Sequence, residues 1–502
     1  MLKDKKWNKC IEDILIIFSF AIVIFTIIAS RELNNFDEVW VFNTARNIAN
    51  GLLPYKDFNL ITTPGLPIIC GIFLKTFCTE MFVMRILATI LNTMIFYFIY
   101  KILKLIKINK WISLVITGIL IYISKHYLCI DYNVTILFIA LASLYTELKE
   151  YIEKKEIFSL NIKKEVLLGI FIGSSILMKQ TTGLCLTIAF VGYKFLLVRN
   201  LEQLKMYLKI LAVRGLAIII PLLILLIYLL GNNILYDFID YAILGIKEFT
   251  NKIPYSRLFQ GNLALLAVLA PIVLITLIYI GFFKKYHLAV ILFAYAISTS
   301  IVVYPISDNQ HFLIAVTITL IAGVYLLNEL YNKKLKDRIN KKIEIFIEEF
   351  CKNIFIILSI ALVLICFIEI RNLNLGKYTE LMNFKYIPVS DDFKNDIKKV
   401  GKYIEESNKT VYIVEARAAL YMIPINRYNK NYDLFLIGNM GSNAYDKITK
   451  DLKSKDNVEL LLLKGRMNWQ TPMNIIDYIK QNYRKTEEIG AFEIYSLNRR
   501  EN

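Results

Sequence analysis

The chain is 502 residues long, 56% hydrophobic and only 20% charged, with 31 Phe, 31 Tyr and a mean hydropathy of +0.50. Ordinary soluble chains are about 45–50% apolar and about 25% charged, so this composition argues against a soluble globular domain, a disordered polypeptide and a collagen-like repeat and calls for a bilayer. Fifty-nine Lys plus Arg against 42 Asp plus Glu leave +17; without any nucleic-acid-binding motif, that surplus reads as basic loops beside an anionic leaflet and not as a nucleic-acid surface.

Lys3, Lys5, Lys6 and Lys9 precede a nearly uncharged run from Ile14 to Ser30. Arg31 and Glu32 follow where a signal peptide would show small residues, so the run predicts a retained first membrane helix with a cytoplasmic N-terminus. Residues 31–80 then form a first outer loop. Within it, Phe36 to Ala49 has helical spacing, with Trp40, Thr44 and Ile48 in line with or next to Asp37. Arg46 lies about 180° round that helix from Asp37 and reads as structural or lipid-facing. Gly51 and Pro54 end the helix, and Pro64-Gly65 and Pro67 turn the chain into a short apolar segment from Leu66 to Cys78, expected as an interfacial or re-entrant helix.

Further spans are expected at 81–104, 111–124, 128–147, 166–179, 182–198, 210–230, 262–283, 287–304, 311–328 and 353–371, eleven in all with the first. This count places the loops carrying Lys104, Lys107 and Lys110, Lys149 to Lys164, Arg199 to Lys209, Lys284 and Lys285, and Lys333 to Lys352 on the cytoplasmic side, as the positive-inside rule requires. The C-terminus is then outside. After Ile370 the pattern turns to alternating helix and strand: helices at 391–407, 444–453 and 475–483, and strands at 410–414, 432–437, 458–463 and 492–497. The expected architecture is thus a polytopic α-helical plasma-membrane protein, a transmembrane domain over 1–371 and an extracytoplasmic α/β domain over 372–502. The seven cysteines show no disulfide or zinc spacing, and three His residues make no metal constellation.

Polar residues beside membrane spans are costly and point to function. They gather at turns assigned to one membrane face: Asp37-Glu38 and Tyr55-Lys56-Asp57; His126 and Asp131-Tyr132-Asn133; Lys179-Gln180-Thr181-Thr182-Gly183; and Tyr304 to His311 with Asp308. Turns are polar anyway, but the Asp131 and Lys179 groups sit against helix ends where neutral residues would cost less.

At these residues the sequence resembles the GT-C glycosyltransferases, the polytopic branch that includes protein O-mannosyltransferases and aminoarabinose transferases. The likeness rests on Asp37-Glu38 after the first span, Ala45-Arg46, the Gly51 to Asp57 stretch, the Pro-rich return from Thr63 to Pro67, Arg85, the turn at 179–183 and the turn at 304–311. Thr62-Thr63 stands where several relatives place a phosphate-holding Lys. The resemblance implies a GT-C fold and transfer of a sugar from a polyprenyl-phosphate donor to an extracytoplasmic acceptor, a cell-envelope glycan, lipid or protein, with inversion. It implies Asp37 as general base with Glu38 as second choice, Lys179, Arg85 or His311 at the donor phosphate, and Tyr55, Asp57, Asp131, Asn133, Gln180 and Asp308 at the substrates. No cofactor is expected, although some relatives depend on a divalent metal. Rival readings are a flippase or transporter of a lipid-linked saccharide and a non-catalytic envelope-polymer assembly protein.

Overall fold

Among the described residues, five helical segments are long and apolar enough to cross a bilayer, Cys10–Ala29, Met81–Leu105, Leu201–Gly231, Ala264–Phe283 and Asn309–Lys333, and they make this a membrane protein. The computed structural model describes residues 2–33, 36–249, 252–335, 341–372, 380–465 and 468–497. Its helices begin with α1 (Leu2–Ala29), α2 (Phe36–Ala49), α3 (Gly65–Thr76), α4 (Met81–Leu105), α5 (Lys110–Ser124), α6 (Tyr132–Lys154) and α7 (Ile162–Met178). They continue with α8 (Gln180–Phe195), α9 (Leu201–Gly231), the single turn α10 (Leu235–Phe238), α11 (Ala264–Ile278), α12 (His287–Ser300), α13 (Asn309–Leu330) and α14 (Lys341–Asn372).

Every segment expected to span is helical. Beyond the five, α5, α7, α8 and α12 are shorter, α6 is more polar, and only part of the side chains of α14 is described. Lys336 and Arg338 of the last basic loop, and residues 373–379 after the last expected span, lie outside the described residues. The segment expected as an interfacial helix is α3, too short at 12 residues to cross a bilayer.

The chain divides into two compact units. The first holds 1–29, 86–224 and 252–372, and the second 30–85, 225–251 and 373–502.

In the first unit, α12 packs against α13, α8, α11 and α6, while α14 packs on α5 and α1. Helix α7 meets α9 through Gly169 and Gly173: a Cβ at either would come within 2.6 Å of Ala217 or 2.8 Å of the Ile218 carbonyl. Such small residues one turn apart let two helix backbones touch where lipid gives no hydrophobic drive.

The same helices share a buried charge network. Arg214 of α9 bonds Glu147 of α6 through Nη2, Glu165 of α7 through Nε (2.5 Å) and the Phe190 carbonyl of α8 through Nη1 (2.7 Å). Tyr193 donates to Glu147 at 2.5 Å, Lys194 lies 3.6 Å from Glu165, and Lys164 pairs with Glu150. Three acids meet three bases, so the net charge is zero, and the cluster joins four helices.

Leaving one charge of a buried pair uncompensated costs about 3–5 kcal/mol. Arg214→Met is accordingly expected to lower thermal stability in detergent by about that much. The double change Arg214→Met/Glu147→Gln, which removes one charge of each sign and leaves Glu165 with Lys194 and Glu150 with Lys164, is expected to cost less than the single change.

The second unit combines the α2–α3 hairpin, the chain around α10, and a four-stranded sheet. Here α15 (Asp391–Glu406), β1 (Thr410–Ile413), the turn α16 (Ala419–Met422), α17 (Ala444–Lys453), β2 (Val458–Leu463), α18 (Met473–Asn482), β3 (Tyr483–Ile489) and β4 (Phe492–Leu497) follow in order. The strand order is β1-β2-β4-β3; β1 runs parallel to β2 in register Tyr412↔Leu460, and β4 is antiparallel to both its neighbours. The core is built from Tyr412, Leu460, Leu462, Ile475, Ile479 and Tyr495.

The expected strand at 432–437 is absent. Asn429 occupies the free edge of β1, accepting from the Ile413 N–H (3.0 Å) and donating to its carbonyl (2.8 Å), and Leu434 takes φ +50°. The apolar alternation there is real but serves two cores, Tyr432 and Phe435 in one and Leu434 and Leu436 in another. Strand β3 was not expected, because Arg484 to Glu488 are exposed and charged. It is an edge strand held by cross-strand charge, with Lys485 2.7 Å from Glu493.

Candidate functional site

Helix α2 carries two acids in its first turn, where they complement the positive end of the helix dipole. Its faces are used for different purposes. Glu38 is 2% exposed and forms a forked ion pair with Arg85 at the start of α4, Nε to Oε1 at 2.8 Å and Nη2 to Oε2 at 3.2 Å. Arg85, 1% exposed, also donates to the Arg31 carbonyl at 2.7 Å. This two-point geometry fixes the roll of α2. Asp37, 100° further round, remains half-buried.

On a further face Arg46 is fully buried. It donates to Asn43 Oδ1 (3.3 Å), Asn426 Oδ1 (3.2 Å) and the Arg427 carbonyl (3.0 Å), and its guanidinium lies over the Tyr428 ring at 4.7 Å. Of the two readings offered for Arg46, the structural one holds and the lipid-facing one does not. Beside it lies Asp433, fully desolvated, with Asn47 Nδ2 at 3.5 Å and the Asn43 side chain also bonded to it. Burial pushes the Asp433 carboxyl up to about 7, and Arg46 and the two asparagines offset only part of that push.

Tyr55 and Asp57 spend their polar atoms on their own loop. The buried Tyr55 hydroxyl donates to the Thr62 carbonyl (2.7 Å), and Asp57 accepts from the Leu53 N–H (2.7 Å). Tyr55 also packs edge-on to Phe238.

In the first unit the flagged residues prove to be helix caps. Asp131 begins α6 and accepts from Val134 N–H at 2.9 Å; Lys179 begins α8; Asp308 begins α13 and accepts from His311 N–H at 2.8 Å. The N-termini of these three helices gather. Asp131 lies within electrostatic reach of both Lys179 and His311. Lys179 Nζ is 3.1 Å from Asn133 Oδ1 and 4.7 Å from the Tyr132 ring centre. The Asn133 amide nitrogen is buried and makes no hydrogen bond among the described residues. His311 Nδ1 meets Asp308 Oδ1 at 2.8 Å. Burial disfavours the Asp308 carboxylate, yet the His311 ring and backbone bonds outweigh it and hold Asp308 below the usual carboxylate range. Gln180 is the first residue of α8. Gly183 is required at this turn, because a Cβ there would lie 2.4 Å from the Ser175 backbone.

The structure therefore brings Asp131, Asn133, Lys179, His311 and Asp308 together, and it joins Glu38 to Arg85. Asp433 and the Arg214 network escaped the sequence reading. The network had a visible signal in the ionisable residues Glu147, Lys194 and Arg214 inside expected spans. Asp433 had none, since its partners lie 386 or more residues earlier. Among the described residues, no group of three or more His, Cys, Asp or Glu side chains could hold a metal ion.

No family model and no curated protein matches the sequence. Solved structures do match. ArnT from Cupriavidus metallidurans in the apo state superposes with a TM-score of 0.58 at 10% identity, over 98% of this chain and 98% of that one. The same protein bound to undecaprenyl phosphate gives 0.55 at 10% identity, over 96% and 97%. The Archaeoglobus fulgidus oligosaccharyltransferase tethered with an acceptor peptide gives 0.49 at 11% identity, over 98% and 75%. The chain thus has the GT-C membrane fold, as the resemblance in its sequence implies.

A carboxyl with a folded pKa near 7 and an unfolded value near 3.8 keeps its proton in the fold over that window. Stability from the protonated form is complete below the unfolded value and lost as pH rises through about 7. Melting temperature is expected to fall between pH 4 and about pH 7 by the equivalent of on the order of 4 kcal/mol, and Asp433→Asn is expected to flatten that part of the profile.

Proposed function

We propose that this GT-C membrane protein is an inverting glycosyltransferase that moves one sugar from a polyprenyl-phosphate donor to an acceptor outside the cytoplasm. The observation that carries this reading is the pair of acids opening α2: Glu38 is committed to Arg85, and that ion pair orients the helix that presents Asp37. The fold is shared along nearly the whole chain with ArnT, a protein crystallised with undecaprenyl phosphate, and supports a lipid phosphate as leaving group.

In the proposed step Asp37 takes the proton of an acceptor hydroxyl as that oxygen attacks the sugar's anomeric carbon. The new carbon–oxygen bond forms on the face opposite the lipid, the bond from that carbon to the phosphate oxygen breaks, and the electron pair leaves with the polyprenyl phosphate. Inversion follows from this geometry. The leaving group is already anionic and needs charge stabilisation more than a proton. Lys179 is assigned to it, with the Asn133 amide as a neutral donor beside it. His311 joins them: its Nδ1 is taken up by Asp308 Oδ1 at 2.8 Å, and Nε2 is the nitrogen left for substrate. Asp131 and Gln180 are assigned to the sugar from the same group of caps. Arg85 and Glu38 are assigned to holding α2, and Tyr55 and Asp57 to shaping the loop after it, in place of direct substrate contacts.

Asp37→Asn in proteoliposomes supplied with polyprenyl-phosphate sugars is expected to lose transfer by about 10²–10⁴-fold, the usual worth of a general base, while still binding donor. Unchanged transfer would remove Asp37 from the mechanism. Saccharide movement across the vesicle without a new glycosidic bond would favour the transporter. The proposed orientation is checked separately, in a background lacking the native cysteines: a thiol introduced by Lys409→Cys is expected to react with an impermeant maleimide on intact cells, and one introduced by Glu156→Cys only after lysis.

A further inference from the structure

The second unit contains a cavity of about 280 Å³. Its walls include Trp40 and Asn43 of α2, Phe393 and Ser390 of α15 and its start, Glu32, and Arg417 ahead of α16. Trp40 follows Asp37 by three residues, one helical turn along α2 and about 60° round it, with Cβ atoms about 5–6 Å apart, and Asn43 lies one turn further on. The cavity therefore opens one helical turn from the carboxylate assigned as base.

Its chemistry is specific. Two aromatic rings offer negative π-faces, which suit the positively polarised C–H groups on the flat side of a sugar ring. A hydroxyl, a guanidinium and a carboxylate supply donors and acceptors for adjacent hydroxyls. One cation and one anion at the rim cancel, which suits an uncharged ring better than a phosphate. The volume lies at the small end of the roughly 300–1,000 Å³ typical of ligand pockets, room for one ring and not for a lipid tail.

We propose that this cavity is the acceptor subsite and that it receives a neutral saccharide ring, so that the acceptor is a glycan or glycolipid and not a polypeptide side chain. This rests on the transferase reading above for the word acceptor, while the binding itself does not. Trp40, one helical turn from Asp37, links the cavity to that carboxylate along α2.

The test uses the full-length protein in lipid nanodiscs, without donor, titrated with methyl glycosides of hexoses, pentoses and N-acetylhexosamines and with short Ser- and Thr-containing peptides. Binding is followed by saturation-transfer NMR and tryptophan fluorescence. At least one methyl glycoside is expected to bind saturably and to weaken at least tenfold in Ala419→Phe, which fills the cavity, and in Arg417→Ala, an exposed position, with melting temperatures unchanged. Absence of glycoside binding, binding of peptides alone, or glycoside binding indifferent to both substitutions would each overturn the proposal. If transfer to a glycan is observed but its acceptor KM is the same in both variants, the subsite assignment falls and the transferase reading stands. If glycosides bind and no transfer is found with any donor, the reverse holds.

Discussion

A charge taken out of water must meet an opposite charge or a full set of hydrogen bonds, because its desolvation costs several kcal/mol that nothing else in an apolar bundle returns. That constraint shapes both units of this protein. In the helical bundle, Arg214 is inserted among four helices and collects two carboxylates and a backbone carbonyl. In the second unit, Arg85 and Arg46 are buried and held in different ways, Arg85 by a carboxylate and a carbonyl, Arg46 by amides, a carbonyl and an aromatic face, with Asp433 in electrostatic reach and its Nε without a hydrogen bond among the described residues.

These buried arginines give α2 a single orientation. A 14-residue helix has little intrinsic stability, and hydrophobic contact alone would let it roll. The forked pair at Glu38 and the four contacts at Arg46 remove that freedom. Asp37 and Trp40 then face a fixed direction, and the proposed chemistry depends on that direction. Preorganisation of this kind lets a carboxylate act without paying for its own positioning at the moment of reaction.

Helix capping accounts for the second polar group. Asp131 and Asp308 each satisfy a backbone N–H at the start of a helix, so the bland explanation of polar turns is correct for those atoms. It does not account for Lys179, whose ammonium extends from the start of α8 to Asn133 of α6, whereas the His311 ring meets Asp308 within the cap of α13 itself. Capping brings these ends together, and the chemistry assigned to them uses what capping leaves over.

Much of this was legible in the sequence. Hydropathy placed the five helices that are long and apolar enough to cross among the described residues, and the other expected spans are helical as well, because a bilayer demands a run of apolar residues of set length whatever the neighbours are. The pairing of Asp37 with Glu38, the short α3 and most of the α/β elements followed from local spacing. What local pattern could not show was which polar atoms meet. Residues 432–437 read as a strand, but Asn429 had already taken the edge of β1; β3 was assigned to no element by its own pattern, and it is a strand because β4 supplies its partner. Asp433 and Arg46 became neighbours across almost four hundred residues. Periodicity records how each residue relates to water or lipid along its own element. The pairing of buried polar groups is a contact between distant segments, and it exists only once the chain has folded.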